Sequence, residues 1–499
     1  VSSAVAFNPH GRAARVGAAL TWLRRAVVAA TGRAIFRAAT CVVLGCALVA
    51  CVNYEARPLR PQQTAERFAA RRLDAPELRD QVAQFLPRAA TQWPPQAWDR
   101  ATLLAVALVS NPKLAIARAR VQAARAHEGA VAQPANPELT LQSEYARHDP
   151  HPWLYGFNLD FPPRTPARKR LETDLARLGT SSAQWQLLDQ VWATRRSLIA
   201  ALSEHELALR RVQILEQLAS AQQRLVAIEE KRVAAGEDAP SELLLARQAR
   251  IGVAQQQAEA RTSVGTAQAA IAAALGVPPQ ALDDVALQWP EWGEPPTFAD
   301  SHLRESREAA LLSRADLAAA IGDYAESENK LEQAVLRQYP QLHLTPGYYW
   351  DHGIAKFPFD IGFTLPLFNR GEIAEARAAR ELAGQRMLAL QADVYGEIAA
   401  AERAEDAGRA SADADAQSLR AAQQQAQQAK LASRLGAIGV QEELGAQILL
   451  LRSEFEALQL RGQWQSARDA LEDALHAPLS GPELELSMSL PVVIAGPQR

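Results

Sequence analysis

The chain has 499 residues, a formal net charge of −3 and only 6% aromatic residues. That length allows two or three ordinary domains, and the charge balance leaves no electrostatic footprint for nucleic acid. Ala, Gln, Leu, Glu and Arg dominate, which favours long helices over a compact mixed core.

The three cysteines, Cys41, Cys46 and Cys51, all lie near the start, so the rest of the chain has no disulfide available to it. Their surroundings explain them better. Arg24, Arg25, Arg33 and Arg37 precede a short apolar run from Ala38 to Ala50, too short to remain as a membrane span. The run ends in Leu48-Val49-Ala50-Cys51, which resembles a bacterial lipobox. Residues 1–50 are therefore expected to be a signal peptide and Cys51 the lipidated residue. Val52 stands where an Asp would retain such a lipoprotein at the inner membrane, so the outer membrane is expected. An ordinary signal peptide with incidental cysteines is the alternative, and the translation start stays open.

Residues 51–98, rich in Pro, Arg and Gln, are expected to form an extended lead-in with one short helix near Pro76–Phe85. Asp99 then caps a helix that Asn111-Pro112 interrupts and that continues to Gln133. After Pro137, Leu139, Leu141, Ser143 and Tyr145 alternate with polar residues, and Trp153, Tyr155, Phe157, Leu159 and Phe161 resume the alternation. This predicts a hairpin over 138–161, with strands near the length that crosses a bilayer at a tilt. From Ala167 to Ala235 no proline occurs, enough for about 100 Å of helix. A return helix, Ser241–Leu275, is about half as long.

The same order then recurs. Leu114, Pro137 and Leu139 match Leu317, Pro340 and Leu342 at a constant offset of 203, and Gly156, Phe157 and Leu159 match Gly362, Phe363 and Leu365 at 206. Gly236 and Glu242 match Gly436 and Glu442 at 200. A period this long indicates a duplicated unit: repeat 1 over 99–275 and repeat 2 over 301–477, separated by a Pro- and Trp-containing connector over 276–300 expected to sit mid-rod as a collar. Repeat 2 holds a helix Ser301–Arg337, a second hairpin over 341–367, a long helix Gly371–Leu435 and a last helix Glu442–Leu475. The short helices Ser241–Leu275 and Ser301–Arg337 are expected to stack end to end, and the first helix to pair in the same way with the last, giving four rods of similar length. The tail, 478–499, carries no readable signal.

The lipobox, the duplicated helix–hairpin–long-helix order, Pro366-Leu367-Phe368-Asn369-Arg370-Gly371 after the second hairpin and Ala274-Leu275-Gly276 before the connector resemble the TolC-like outer-membrane efflux factors, in their lipoprotein form. The resemblance covers about residues 99–478. It implies a mainly α fold with a small membrane β-barrel: a homotrimer whose twelve-stranded barrel continues into a twelve-helix periplasmic tunnel. Function would follow as the passive outer-membrane channel of a tripartite efflux or export system, anchored by lipid, reaching into the periplasm and meeting a periplasmic adaptor protein and an inner-membrane pump. Pro162-Pro163-Arg164-Thr165-Pro166 departs from the family's usual run after the first hairpin and is expected to stiffen that joint.

No catalytic constellation, phosphate-binding loop, cofactor site or metal set is evident, so no enzyme activity is expected. His148, His151 and His352 fall in predicted loops and read as polar loop residues, with a metal site as the alternative. Two sets near the helix turns carry the functional expectations. Lys231, Arg232 and Gly236 in one turn, with Arg434, Leu435 and Gly436 in the other, are the adaptor-docking candidates. The alternative is ordinary solvated charge with a helix C-cap. Glu237, Asp238, Glu442 and Glu443 are candidates for an acidic aperture; the alternative is N-terminal charges that complement the helix dipoles. On the strands, Asn158, Asp160, His343, Thr345, Asp360 and Thr364 are expected to face the barrel lumen. The rival class is a periplasmic coiled-coil adaptor or scaffold lipoprotein, which accounts for the helices and anchor but not for two alternating hairpins.

Overall fold

The computed structural model describes residues 54–296, 298 and 300–486. The expected signal peptide over 1–50, the lipidation candidate Cys51 and the tail beyond 486 lie outside them. The chain divides into two units, the first ending at Glu66 and the second running from Arg67. The described part of the first unit is extended from Tyr54 and then enters helix α1 (Pro61–Ala69), which the sequence reading did not separate from the lead-in.

In the second unit, α2 (Pro76–Val82) is the short helix expected near Pro76–Phe85, followed by a 3-10 turn at Pro87–Ala90. Helices α3 (Arg100–Ser110) and α4 (Pro112–Ala132) meet at a bend of 51°. Asp99 caps α3 by accepting from the Thr102 amide, and Asn111 caps α4 by accepting from the Lys113 and Leu114 amides. Pro112 lacks the N–H that would have continued α3, and as N1 of α4 its fixed φ suits a helix start. Strands β1 (Glu138–Tyr145) and β2 (Trp153–Asp160) form the first hairpin. Next come the long helix α5 (Pro166–Ala235, 70 residues) and its return helix α6 (Pro240–Leu275).

The second repeat opens with α7 (Asp300–Ser313) and α8 (Ala315–Leu336). The helix expected over Ser301–Arg337 is thus broken at Arg314, 203 positions after Asn111, so the duplication extends to the break itself. Strand β3 (Gln341–Asp351) returns as β4 (Ile354–Lys356) and β5 (Phe359–Thr364). The expected single run from Phe357 to Leu367 is interrupted because Pro358 has no N–H for the ladder. Its carbonyl still accepts from the Gly347 amide at 2.9 Å, and the register is the same on both sides of the break. Helices α9 (Arg370–Arg434, 65 residues) and α10 (Val440–Leu475) complete the set.

The end-to-end stacking differs from expectation. The half-length helices hand over within each repeat, α6 to α4 and α10 to α8, rather than α6 to α7–α8 and α3–α4 to α10. The physical reason is the shared long helix. Within repeat 1, α4 and α6 both pack along α5; within repeat 2, α8 and α10 both pack along α9. At the first handover the Asn111 side-chain amide donates to the Ala274 carbonyl at 2.7 Å. At the second, the Arg314 guanidinium donates to the Ala474 carbonyl at 2.8 Å. Ala274 and Ala474 are themselves 200 positions apart, so two different side chains answer the same orphan carbonyl in the two repeats.

Around the handovers lies the main core. Phe85, Leu86, Leu103, Leu104, Leu108, Leu198, Trp98, Trp289 and Trp292 are all buried there. The connector supplies two of those tryptophans and bridges to the lead-in, the Trp98 amide donating to the Ala286 carbonyl and the Gln288 amide to the Trp98 carbonyl. The tail, unreadable in sequence, reaches two cores: Leu486 is buried in this one, Leu479 in a second with Leu317, Ile398 and Leu475, and Pro482–Glu485 is a 3-10 turn. A smaller core nearer the turns unites Leu215, Leu218 and Ala221 of α5 with Val253 of α6 and Ile448 of α10.

Asn111 therefore holds two helices at once. Asn111→Ala removes a helix cap and the donor to Ala274, and is expected to cost about 1–3 kcal/mol, read as a lowered thermal midpoint of helical circular dichroism in detergent.

Candidate functional site

The sheet is the first candidate surface. Its order is β1-β2-β3, with β4 and β5 both on β3, all antiparallel. Because side chains alternate, the register decides which residues share a face. Leu141 lies opposite Phe157, Phe157 opposite Tyr348, and Tyr155 opposite Trp350. Leu344 lies opposite Ile361 and Leu342 opposite Phe363. One face is thus apolar across every strand, and much of it is exposed: Leu141 75%, Trp153 55%, Ile361 53%, Phe363 62%. Aromatic contacts cross it, Tyr145 with Trp153 at 4.9 Å, Phe157 with Tyr348 at 6.3 Å and Tyr348 with Phe357 at 5.2 Å. Among the described residues no single helix is long and apolar enough to cross a membrane.

The opposite face gathers all six strand residues singled out from the sequence. Thr345 pairs with Asp360 and Gln341 with Thr364. Asn158 pairs with Gly347, and His343 Nδ1 lies 3.6 Å from Asp160. Two glycines let this face close up. A Cβ on Gly347 would lie 2.3 Å from Asn158 Oδ1, and one on Gly156 would lie 2.2 Å from the Tyr348 carbonyl and 2.5 Å from the Tyr349 ring. At the hairpin end, His352 (φ 48) and Gly353 (φ 95) form a tight two-residue turn of the kind that matches strand twist. His352 Nδ1 meets Asp351 at 2.5 Å, and Lys356 pairs with the same carboxylate. His151, next to Gly353, and His148 are loop residues as expected, and no group of metal-ligating side chains is present among the described residues.

The helix turns are the second surface, and the two are chemically unlike. Gly236 (φ 77) and Gly436 (φ 72) each stand just past a long helix, with the Glu237 amide donating to the Arg232 carbonyl and the Ala437 amide to the Ala432 carbonyl. These are Schellman closures, which require a left-handed residue. In the first turn Arg232 forks onto Asp238 at 2.5 and 2.9 Å and reaches Glu237 at 3.4 Å. The hydrogen bonds from Arg232 hold the Asp238 carboxyl below its usual range. Of the sequence candidates here, Arg232 and Asp238 are therefore occupied with each other, while Lys231 has no such clasp. Glu229, missed from sequence, sits beside them: it is buried, accepts from Gln441 of α10 at 2.7 Å, and its carboxyl is pushed up first by desolvation and then by Asp238. In the second turn Leu435 is 76% exposed, and Leu431 and Val440 nearby are also bare. Glu442 and Glu443 lie in the first turn of α10; Glu442 is exposed and Glu443 half-buried.

Sequence reading also missed a buried ionic cluster at the handover level. Arg195 of α5 bonds Glu472 of α10 at 2.5 Å and Glu483 of the tail at 2.7 Å, all three almost fully buried. Arg100 and Arg468 lie alongside. No local pattern announces it, because its members are scattered from position 100 to 483 and only the fold brings them together.

The comparisons fit this geometry. Residues 103–277 match the family model described as outer membrane efflux protein. No curated protein matches the chain in sequence. Among solved structures, a membrane protein from Pseudomonas aeruginosa is similar with a TM-score of 0.65 at 19% identity, covering 88% of this chain and 99% of that one. The outer membrane protein VceC from Vibrio cholerae gives 0.61 at 19%, covering 76% and 96%. The Neisseria gonorrhoeae MtrE outer membrane channel, in its open state, gives 0.56 at 18%, covering 76% and 89%. At these identities the likeness is one of fold.

The close approach at Gly156 is testable. Gly156→Ala must push β2 away from β3 and is expected to destabilise the protein by about 1–3 kcal/mol. Gly129→Ala, at a helical position with nothing within 4 Å, should leave the melting midpoint unchanged or raise it.

Proposed function

We propose that this chain, which carries an outer membrane efflux protein domain over residues 103–277 and has the fold of TolC-like channels, is the outer-membrane channel component of a tripartite efflux or export system. The observation that carries the reading is the two-faced sheet joined to two full-length helices. An exposed apolar face suits lipid, an opposed polar face suits a water-filled lumen, and the rods supply a duct wall.

A single copy leaves the outer edges of β1 and of the β4–β5 path unpaired, which lipid does not tolerate. Closure by three copies satisfies them: four strand paths per protomer make a twelve-stranded barrel, and four rods per protomer a twelve-helix tunnel in the periplasm. Asn158, Asp160, His343, Thr345, Asp360 and Thr364 then line the lumen. The turns at Gly236 and Gly436 form the inner end, where a periplasmic adaptor docks and connects the duct to an inner-membrane pump. Leu435, with Arg434 and Gly436, is the stronger docking surface, since Arg232 is already clasped by Asp238. Glu442 and Glu443 would stand three times each around the aperture. Cys51 is the proposed lipid attachment site, adding an anchor to a barrel that is already embedded. The duct is passive and does no chemistry. A coiled-coil adaptor gives no use to the apolar sheet face.

Phe157→Arg places a charge on the lipid face and should cost about 2–4 kcal/mol at mid-membrane depth. Thr364→Arg, on the other face, should be tolerated. Folding yield in bilayers measures both, and equal effects would refute the assignment of faces. For docking, Leu435→Asp should abolish adaptor crosslinking at the tips and drug or export phenotype while leaving trimer yield intact; unaltered crosslinking would remove Leu435 from the interface. Cys51→Ser should eliminate fatty-acid labelling of the protein, and label retained on the variant would exclude that site.

A further inference from the structure

We propose that residues 479–486 are a proton-controlled strap across the middle of the rods, closed when Asp469 holds a proton and loosened when it ionises. This goes beyond the channel reading and does not depend on it.

The strap is held by charge. The Leu479 amide donates to Glu472 Oε1 at 2.9 Å. Glu483, 1% exposed, takes Arg195 at 2.7 Å and lies 3.7 Å from Arg100. Ser480 Oγ accepts from Arg468 at 3.4 Å. Gly481 (φ 90) passes so near Arg100 that a Cβ would lie 2.1 Å from its guanidinium. The guanidiniums also rest on rings, Arg100 over Trp289 at 4.5 Å and Arg468 over Phe298 at 4.1 Å. These contacts join the strap to α3, α5, α10 and the connector.

The cluster's charges do not balance. Three cations, Arg100, Arg195 and Arg468, meet four carboxylates: Glu472 and Asp469 on α10, Glu483 on the strap and Glu405 on α9, 3.8 Å from Arg468. Glu291 of the connector lines the same space and adds a further negative group. Asp469 has the poorest partners. Its Oδ1 accepts from Gln465 at 2.9 Å, while its Oδ2 is buried with no partner. The cavity among Arg100, Trp289, Gln465, Arg468, Asp469, Glu472 and Ser480 holds about 10 Å³, at most one water. Asp469 as a whole is half-buried, but water has little room at its buried Oδ2, and a proton there neutralises the fourth carboxylate. Burial accordingly pushes the Asp469 carboxyl up to about 7.

When Asp469 ionises, it competes with Glu483 and Glu472 for Arg100 and Arg195. Glu472 is fixed in a 36-residue helix, whereas Glu483 sits on a four-residue 3-10 turn. The strap is the member that yields. The sign follows from proton linkage. The closed form holds the Asp469 proton more tightly than an open form with an ordinary carboxyl does. Opening therefore rises with pH up to about 7 and levels off above it.

The test is hydrogen exchange of the 479–486 amides in the full chain in detergent micelles, corrected for the intrinsic pH dependence of exchange. Between pH 5.5 and 8.5 the opening constant should rise by up to roughly 30-fold, mostly below pH 7. Asp469→Asn keeps the bond to Gln465 without the charge and should hold the strap protected at every pH. Glu294→Gln, on an exposed ion pair with Arg461, should follow the wild type. A flat wild-type profile overturns the proposal by itself, whether or not the variant folds. So does an Asp469→Asn profile with the wild-type slope.

Discussion

The architecture depends on how a half-length helix can end against a full-length one. The last carbonyls of α6 and α10 lack intrahelical donors, and the long helices beside them run on without offering any. The first amides of α4 and α8 face the same shortage in reverse. At the first junction Asn111 meets both needs with one side chain, accepting from two amides and donating to Ala274. Arg71 adds bonds to the carbonyls of Gly276 and Ser110, at 2.6 and 3.3 Å. At the second, Arg314 reaches the Ala474 carbonyl while forked onto Asp316 at 3.1 and 2.7 Å and onto Glu397 at 3.1 Å. The two repeats keep the geometry and change the chemistry.

The reversals beyond these helices repeat the theme. Gly276 (φ 75) ends α6 and, 200 positions on, His476 (φ 49) ends α10. A non-glycine residue is disfavoured in this conformation, and what surrounds His476 compensates. Its ring stacks on Trp192 at 5.1 Å, and burial together with Arg314 and Arg196 pushes its pKa down to about 4. The neutral ring is the form that packs there. Glycine at the first junction has a different reason: a Cβ on Gly276 would lie 2.6 Å from the Ser110 carbonyl.

Much of this was legible in the sequence because it repeats or alternates. Helix ends at Asn111, Gly236 and Gly276, the first hairpin and the shared face of Asn158, Asp160, His343 and Thr345 all follow from local signals of cap, glycine and two-residue period. What could not be read was long-range. Which half-length helix continues which depends on packing against α5 and α9, and the lengths alone fit more than one pairing. Pro358 looked compatible with an unbroken strand because the alternation of Phe357, Phe359 and Ile361 passes through it undisturbed. The tail carries no periodicity at all, and Glu483 gains its meaning from Arg195, 288 residues earlier, and from Arg100. Buried ion clusters of this kind are assembled by topology, so composition and spacing leave no trace of them.

The two turns show how duplication can divide labour. Both keep the glycine and the Schellman bonds that reverse the chain, so the backbone constraint is common. The side chains then diverge. In the first turn Arg232, Asp238 and Glu237 form an internal ion network, and Glu229 ties α5 to Gln441 of α10. Such a turn satisfies its own polar groups and presents little that a partner could exploit without first breaking them, since a bound charge must be released before it can pair anew. The second turn exposes Leu431, Leu435 and Val440 instead, apolar surface whose removal from water stabilises any complex that covers it. The first turn is thus tied by ion pairs and by its bond to Gln441 of α10, and the second keeps its apolar side chains bare, so the same backbone reversal carries two different surfaces.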